Sequence, residues 1–358
     1  MNRLHQLKET LLQNIKDNED YDDLEFIVLD YNSQDGMEEW IKATMYEYIL
    51  SGRMIYYKTN EPKSWSPSHS KNIALKLATG YIICSTAADN YTGPKFAQYV
   101  NDQFKQGSNI VLTPIDFHRT KKNYHPPSDV FGNVCVRKDN FIKIGGFDER
   151  MDRYGFEDYD LISRLEMNGL KRVLIEDFSF FKYVPHDNNQ RYLLPIDNLE
   201  AMYINYLTPF KSEILFLSKN KRFEKGVVID NFIREADNPR YAYETRVDHF
   251  EYSLEGQEWE LGSWEVTKNN EIQFSSNNIT YNYLILREYN QIRHTETNTN
   301  FYRITNEEVI DGMLRFKHFI YTRSLMEENI ENKTVFVNNG QFGKATVFKN
   351  FQLEPLSI

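Results

Sequence analysis

Cysteine is scarce in this chain: 358 residues carry only Cys84 and Cys135. Both sit in apolar, strand-like runs, which excludes a disulfide scaffold and reads as a pair of reduced core thiols suited to a cytosolic protein. Long apolar runs are missing too. No stretch reaches the length that spans a bilayer, and no signal peptide is visible. Positive charge is in deficit, with a formal net charge of −10. A nucleic-acid binder needs a basic stripe to release counterions, and none is present. Nor does the charge attract the chain as a whole to anionic lipid. Local basic character around Lys121 and Lys122, and along 219–222, leaves peripheral membrane contact open. There is no internal repeat and no low-complexity tract.

What remains is an ordinary globular composition, 41% apolar and 26% charged, with aromatic content high at 15%. The length suits two domains, or one large domain with an appendage. The most informative stretch is Gly145-Gly146-Phe147-Asp148-Glu149, followed by Tyr154-Gly155-Phe156-Glu157-Asp158-Tyr159-Asp160-Leu161. The glycine pair makes a sharp bend. Glu157 and Asp158 then open an apolar-periodic run, Leu161, Leu165 and Leu170, that reads as a helix. A single acid in a first helical turn complements the helix dipole. Two acids behind a glycine–aromatic loop, with a third at Asp160, look more like a site.

This pattern resembles the catalytic domain of inverting glycosyltransferases of the GT-A fold, the family 2 enzymes and the related galactosyltransferase C-terminal module. The resemblance covers roughly residues 2–210. It implies an α/β domain with a Rossmann-like mixed sheet flanked by helices, and an activity that moves a sugar from a nucleotide diphosphate donor, a uridine diphosphate sugar first of all, to a hydroxyl of a glycan or lipid-linked acceptor, as in surface polysaccharide synthesis. It assigns Asp158 as general base, with Glu157 holding the acceptor or orienting Asp158.

Residues 3–16 form a helical stripe that starts where the family's first strand has already ended. An upstream segment, or a fold built without that strand, would account for this. Arg3 falls near the family's nucleotide-contacting Asn-Arg pair. The apolar run 26–29 reads as a buried parallel strand. It leads to Asp30, which the resemblance assigns to the nucleobase, and to Asn32 and Ser33, for which nucleotide binding and a turn or helix cap weigh equally. Lys71, opening a helix over 69–79, corresponds to a basic residue facing the diphosphate; a solvated helix-start lysine is the bland alternative.

After the strand at 81–86, Asp89 aligns with the last acid of an Asp-x-Asp element, but its first acid is replaced by Ala87. The implied cofactor is a divalent cation, manganese or magnesium, held by Asp89 together with His186. Gln190, Arg191 and Tyr192 are further pocket candidates. The polar stretch 117–130, with Pro126-Pro127, reads as an irregular segment over the site or an idle loop. Ala87 also keeps a rival open, a catalytically silent GT-A module that binds a nucleotide or glycan. A nucleotidyltransferase is disfavoured by the lack of a glycine-rich basic phosphate loop.

A helix over about 194–206 is expected to close a first domain at 217, with a linker over 218–240. From 241 to 358, period-2 patches read as an antiparallel sandwich or small barrel. The candidate strands are 243–254, 259–266, 271–274, 281–287, 301–304, 313–321, 333–337 and 344–351. Trp259 and Trp264 are assigned to core packing ahead of sugar stacking.

Overall fold

The computed structural model describes residues 1–114, 132–185, 198–208, 211–229 and 259–358. The chain divides into two compact units. One holds residues 1–185 and 321–358, and the other 186–320.

The first unit opens with α1 (Leu4–Asp17), whose Leu4, Leu7, Leu11 and Ile15 repeat at helical spacing and are buried. They pack with Val28, Ile41, Met54 and Tyr56. β1 (Phe26–Tyr31) is the strand expected from its apolar run, buried at Val28 but half-buried at Phe26, Ile27 and Leu29, and it pairs in parallel with β2 (Met54–Thr59). α2 (Met37–Thr44) and α3 (Tyr46–Leu50) connect them. α4 (Pro67–Leu77) has Pro67 in its first turn, where a missing amide hydrogen costs no helical bond, and Ser66 as its side-chain cap.

β3 (Ile82–Cys84), α5 (Phe96–Gln106), β4 (Ile110–Pro114), β5 (Cys135–Arg137), α6 (Lys138–Lys143), α7 (Glu157–Met167) and β6 (Lys171–Ile175) follow. Strands β3, β5, β4 and β6 lie in that order in one four-stranded sheet, with β5 antiparallel to both neighbours and β4 parallel to β6. Cys84 faces Cys135 across β3 and β5, and both thiols are free. The mixed α/β arrangement is therefore present, as two sheets. β1 has β2 as its strand neighbour and β3 has β5.

The second unit contains a closed eight-stranded antiparallel barrel. Its strands are β7 (Leu199–Thr208), β8 (Lys211–Ser218), β9 (Arg222–Ile229), β10 (Glu260–Val266), β11 (Glu271–Ser276), β12 (Ile279–Leu286), β13 (Gln291–His294) and β14 (Asn300–Ile304). Residues alternate between its two faces. Tyr203, Leu215, Phe223, Trp264, Phe274 and Phe301 belong to the cluster that fills the interior. Met202, Ile204, Ile214 and Phe216 point outward and meet Val309, Met313 and Leu314 of α8 (Glu307–Glu331). Trp264 is an interior core residue, and Trp259 packs on this outer cluster against Phe216.

Several expectations are corrected here. Residues 199–208 form a strand where a helix was expected, because both neighbours, β8 and β14, offer it a ladder. The linker assigned to 218–240 contains β9. Residues 313–321 lie within α8, not in a strand, and 333–337 form no strand. The expected strand at 344–351 exists as β15 (Thr346–Lys349), but it belongs to the first unit. There it pairs antiparallel with β2 and with β16 (Pro355–Ser357). The boundaries drawn at 217 and 241 accordingly differ from the observed division, and the candidate strand at 243–254 lies outside the described residues.

Candidate active site

The glycine pair makes its bend for a steric reason. Gly145 and Gly146 have φ of +82° and +67°, a region that L side chains rarely adopt. A Cβ on Gly145 would collide with the Val337 carbonyl, and one on Gly146 with Asn72 Oδ1. Buried Asn72 of α4 then clamps the next residue. It donates to the Phe147 carbonyl at 2.9 Å and accepts from the Phe147 amide at 2.8 Å. Asn338 Nδ2 reaches the Gly145 and Phe147 carbonyls, both at 2.7 Å. Glu149 accepts from Asn72 at 2.9 Å and from the Gly343 amide at 2.7 Å. The bend is thus built jointly by α4 and the C-terminal residues 337–343.

Downstream, Gly155 at φ +111° and Phe156 at φ +61° turn the chain into α7. Glu157 Oε2 accepts from the Gly155 amide at 2.9 Å. Its Oε1 accepts from Lys71 Nζ at 3.0 Å, and Lys71 Nζ also donates to Asp158 Oδ1 at 2.8 Å. Lys71 further lies 5.0 Å from the centre of the Phe147 ring. Both oxygens of Glu157 are thereby committed, and the residue is 4% exposed. Asp158 differs. Its second oxygen, Oδ2, has no hydrogen-bond partner among the described residues, and it overlooks Gly132, where a Cβ would come within 3.0 Å of it.

The charges act on one another. Burial, seconded by the Glu157 charge, raises the Asp158 carboxyl above its ordinary value, and the Lys71 ammonium opposes this. Burial depresses Lys71, but Asp158 and Glu157 outweigh it and hold the ammonium above its usual range.

The third acid is not part of this group. Asp160 sits on the buried face of α7 and pairs with Arg164 at 2.7 Å, both side chains being almost fully buried. Arg164 continues to the Gly146 carbonyl at 2.8 Å. Helical spacing explains the split, since residues two apart point to opposite sides of a helix. Asp160 braces the glycine bend from beneath while Asp158 faces the other way.

The remaining candidates occupy two places. Asp30, 1% exposed, gives Oδ1 to the Ser33 amide and Oδ2 to the Tyr56 hydroxyl, both at 2.8 Å. Asn32, at φ +54°, donates to the Pro62 carbonyl at 2.8 Å. Arg3 occupies the N-cap position of α1 without a side-chain cap, and the start of the helix is tied to this turn through Asn2 and Ser33 at 3.0 Å and through Leu4 and Asp35 at 2.8 Å. Asp89 lies on the loop after β3, and its carbonyl accepts from the Val184 amide at 2.7 Å. Its neighbour Asn90 donates to Asn133 Oδ1 at 3.1 Å, which joins this loop to the residue next to Gly132.

The structure therefore brings Lys71, Glu157 and Asp158 together, and ties the Asp89 loop to their border. Asp30 and Asn32 are held in their own turn. His186, with Gln190, Arg191 and Tyr192, lies outside the described residues, as does the stretch 117–130. Among the described residues no three His, Cys, Asp or Glu side chains group to hold a metal ion. Asn72, Asn329 and Asn338, which shape the site, escaped sequence reasoning because the only local signal, an isolated asparagine, is common to any loop.

Residues 114–188, which include both glycine-bearing stretches, match the family described as the N-terminal domain of galactosyltransferase. A Bacillus subtilis (strain 168) protein named uncharacterized glycosyltransferase YfnE is 47% identical over 58 residues, which is 16% of this chain and 15% of that protein. These matches support a GT-A-like glycosyltransferase.

The chain spans about 15% of the length of that curated relative. The crystal structure of S. aureus TarS 1–349 is similar at a TM-score of 0.40 and 15% identity, over 49% of this chain and 56% of that one. For a glycosyltransferase the arrangement offers a carboxylate with one oxygen fixed and one open, beside a lysine that limits how far its proton affinity rises. Among the described residues no helix is long and apolar enough to cross a membrane.

Proposed function

We propose that this protein is an inverting glycosyltransferase. It would transfer a sugar from a nucleotide diphosphate donor, a uridine diphosphate sugar in the first instance, to a hydroxyl of a glycan or lipid-linked acceptor. The observation that carries this reading is the unequal use of the acid doublet. Glu157 is fully engaged by Gly155 and Lys71, whereas Asp158 keeps Oδ2 open over Gly132.

In this mechanism Asp158 Oδ2 takes the proton of the acceptor hydroxyl. The hydroxyl oxygen bonds to the anomeric carbon as the bond from that carbon to the diphosphate oxygen breaks. The electron pair leaves with the nucleotide diphosphate, and the anomeric configuration inverts in one displacement. A base works best when its pKa lies near the operating pH. Burial lifts Asp158 in that direction and the Lys71 ammonium opposes the rise. Glu157 fixes the lysine and so positions Asp158. Asp30, Asn32 and Arg3 are proposed for the nucleotide. Asp89 and His186 are proposed to hold manganese or magnesium, which when bound would offset charge on the diphosphate.

The test replaces Asp158 by Asn. Transfer from a panel of uridine diphosphate sugars is expected to fall by about 10²–10⁴-fold, the usual worth of a placed base. Donor affinity, measured calorimetrically with and without manganese, is expected to stay within about twofold of wild type, far below the tenfold that 1.4 kcal/mol represents. Retained transfer would remove Asp158 from this role. Absence of both transfer and slow donor hydrolysis in the wild type would favour a binding module, consistent with Ala87.

A further inference from the structure

The interior of a small closed barrel is normally filled by apolar side chains, and where it opens at a mouth it can hold one small ligand. Here most of the interior is filled in the ordinary way, by Leu215, Leu217, Phe223, Trp264, Ile272 and Phe274. One end is different. Asn205, Glu213, Lys225, Glu260, Tyr281 and His294 share the inward parity of those residues on β7, β8, β9, β10, β12 and β13.

They meet one another. Glu260 accepts from Lys225 and from the Tyr281 hydroxyl, both at 2.6 Å. Lys225 Nζ also lies 3.4 Å from the Tyr281 oxygen. Asn205 donates to Glu213 at 2.9 Å, and the Glu213 charge reaches Tyr281 and Tyr283. Tyr281 stacks with Phe274 at 5.5 Å and with His294 at 5.6 Å, making a row of rings across three neighbouring strands.

Barrel closure does not require this group. Ionic pairs taken from water cost desolvation that apolar residues of similar size avoid. Lys225 and Glu260 nevertheless remain 20% and 27% exposed, so the pair keeps partial access to solvent. His294 Nδ1 accepts from the Glu296 and Thr297 amides, which places its ring proton on Nε2 as a donor. The mouth thus presents stacked rings, two carboxylates, an amide, an ammonium and an imidazole donor. Tyr281 is sandwiched between Phe274 and His294, so what this end offers is ring edges beside paired acceptors and donors, a pattern that matches the hydroxyls of a sugar ring. Two carboxylates against one ammonium disfavour an anionic glycan.

We propose that the mouth of the barrel is a binding subsite for a neutral oligosaccharide, held by Glu213, Lys225, Glu260, Tyr281 and His294. This goes beyond the transfer reaction and does not depend on it.

The test uses the full chain without nucleotide. Maltotetraose, cellotetraose, chitotetraose and, as the anionic arm, tetragalacturonate are titrated by calorimetry. At least one neutral tetrasaccharide is expected to bind saturably, and to do so more tightly than tetragalacturonate. Glu260→Gln and Tyr281→Phe, which keep shape, are each expected to weaken it about tenfold, the equivalent of one charge-assisted hydrogen bond. Hydrogen exchange on the wild-type protein is expected to slow in β9, β10 and β12 when the sugar is bound, which keeps the test valid if a variant misfolds. The proposal is overturned if no neutral member of the panel binds, if the anionic member binds best, if both variants bind as wild type does, or if these strands show no added protection. Absence of transfer by the wild-type protein, with saturable tetrasaccharide binding retained, would sink the proposed reaction and leave the subsite standing.

Discussion

The side-chain amide of Asn329, near the end of α8, donates to Asp160 Oδ1 at 2.8 Å. Its other proton goes to Asp148 Oδ2 at 3.0 Å. One buried amide thus bridges an acid of the glycine bend and an acid of the helix that carries Asp158. Replacing Asn329 by Ala leaves two buried carboxylates each short of a donor. A loss of about 1–3 kcal/mol for each group left unsatisfied is expected, read as a lowered midpoint in urea. Asn329→Asp is expected to be worse at neutral pH, because it adds a third negative charge, and to recover toward the Ala variant as the pH falls.

Asp148 adds a pH dependence. Burial pushes its carboxyl up, but Arg150 and Asn329 outweigh that and hold it below its ordinary value. A carboxyl depressed in the folded state contributes stability above the unfolded pKa of about 3.9, and loses it as pH falls through the folded value. Arg150→Met removes the main cause. The stability gap between wild type and variant is therefore expected to be widest above about pH 4 and to narrow below it. Denaturant titrations from pH 7 to pH 3 check this, and a gap that widens toward acid would refute it.

Lys71→Met tests the tuning of the proposed base. Without the ammonium, the influence that lowers Asp158 is gone while burial and Glu157 still raise it. The acid limb of the kcat/KM profile is expected to move to higher pH, with activity at pH 7 falling more than activity at pH 9. An unmoved limb would separate Lys71 from the ionisation that governs the rate.

The glycine bend admits a controlled comparison. Gly145→Ala meets both an unfavourable φ and the Val337 carbonyl, whereas Gly52→Ala, at φ +76°, has no atom within 4 Å of the new carbon. Gly52→Ala is expected to cost about 1–2 kcal/mol, the conformational penalty alone. Gly145→Ala is expected to cost well beyond that and to lower transfer, since the bend positions Phe147 against Lys71. Thermal melts of the two variants side by side check the difference.

Much of the first unit was legible because its elements are locally self-consistent. The run 26–29 is apolar throughout and flanked by turn residues, and α1 repeats leucines at helical spacing, so pattern alone identified both. The doublet at Glu157 and Asp158 was legible because its spacing behind two glycines is unusual. Asp160 was misread because sequence order does not say which side of a helix becomes buried. Long-range pairing was not legible. Residues 199–208 carry enough apolar positions for either a helix or a strand, and the choice falls to the partners β8 and β14. The stretch 313–321 alternates like a strand over a short window, but Val309, Met313 and Leu314 share one side of a longer helix.

The return of β15 to β2 bears on how the protein is made. Phe348 and Lys349 pair with Lys58 and Tyr57 across nearly the whole length of the chain, and Phe342 enters the core beside Phe141. On a ribosome, elements can close only on partners that have already emerged, and domains tend to form in the order of their synthesis. The barrel strands are complete before residue 342 exists, so the earlier-born sheet must wait, unfinished, for the latest-born residues. A nascent chain halted just after residue 331 is expected to carry a protease-resistant barrel and a protease-sensitive amino-terminal half.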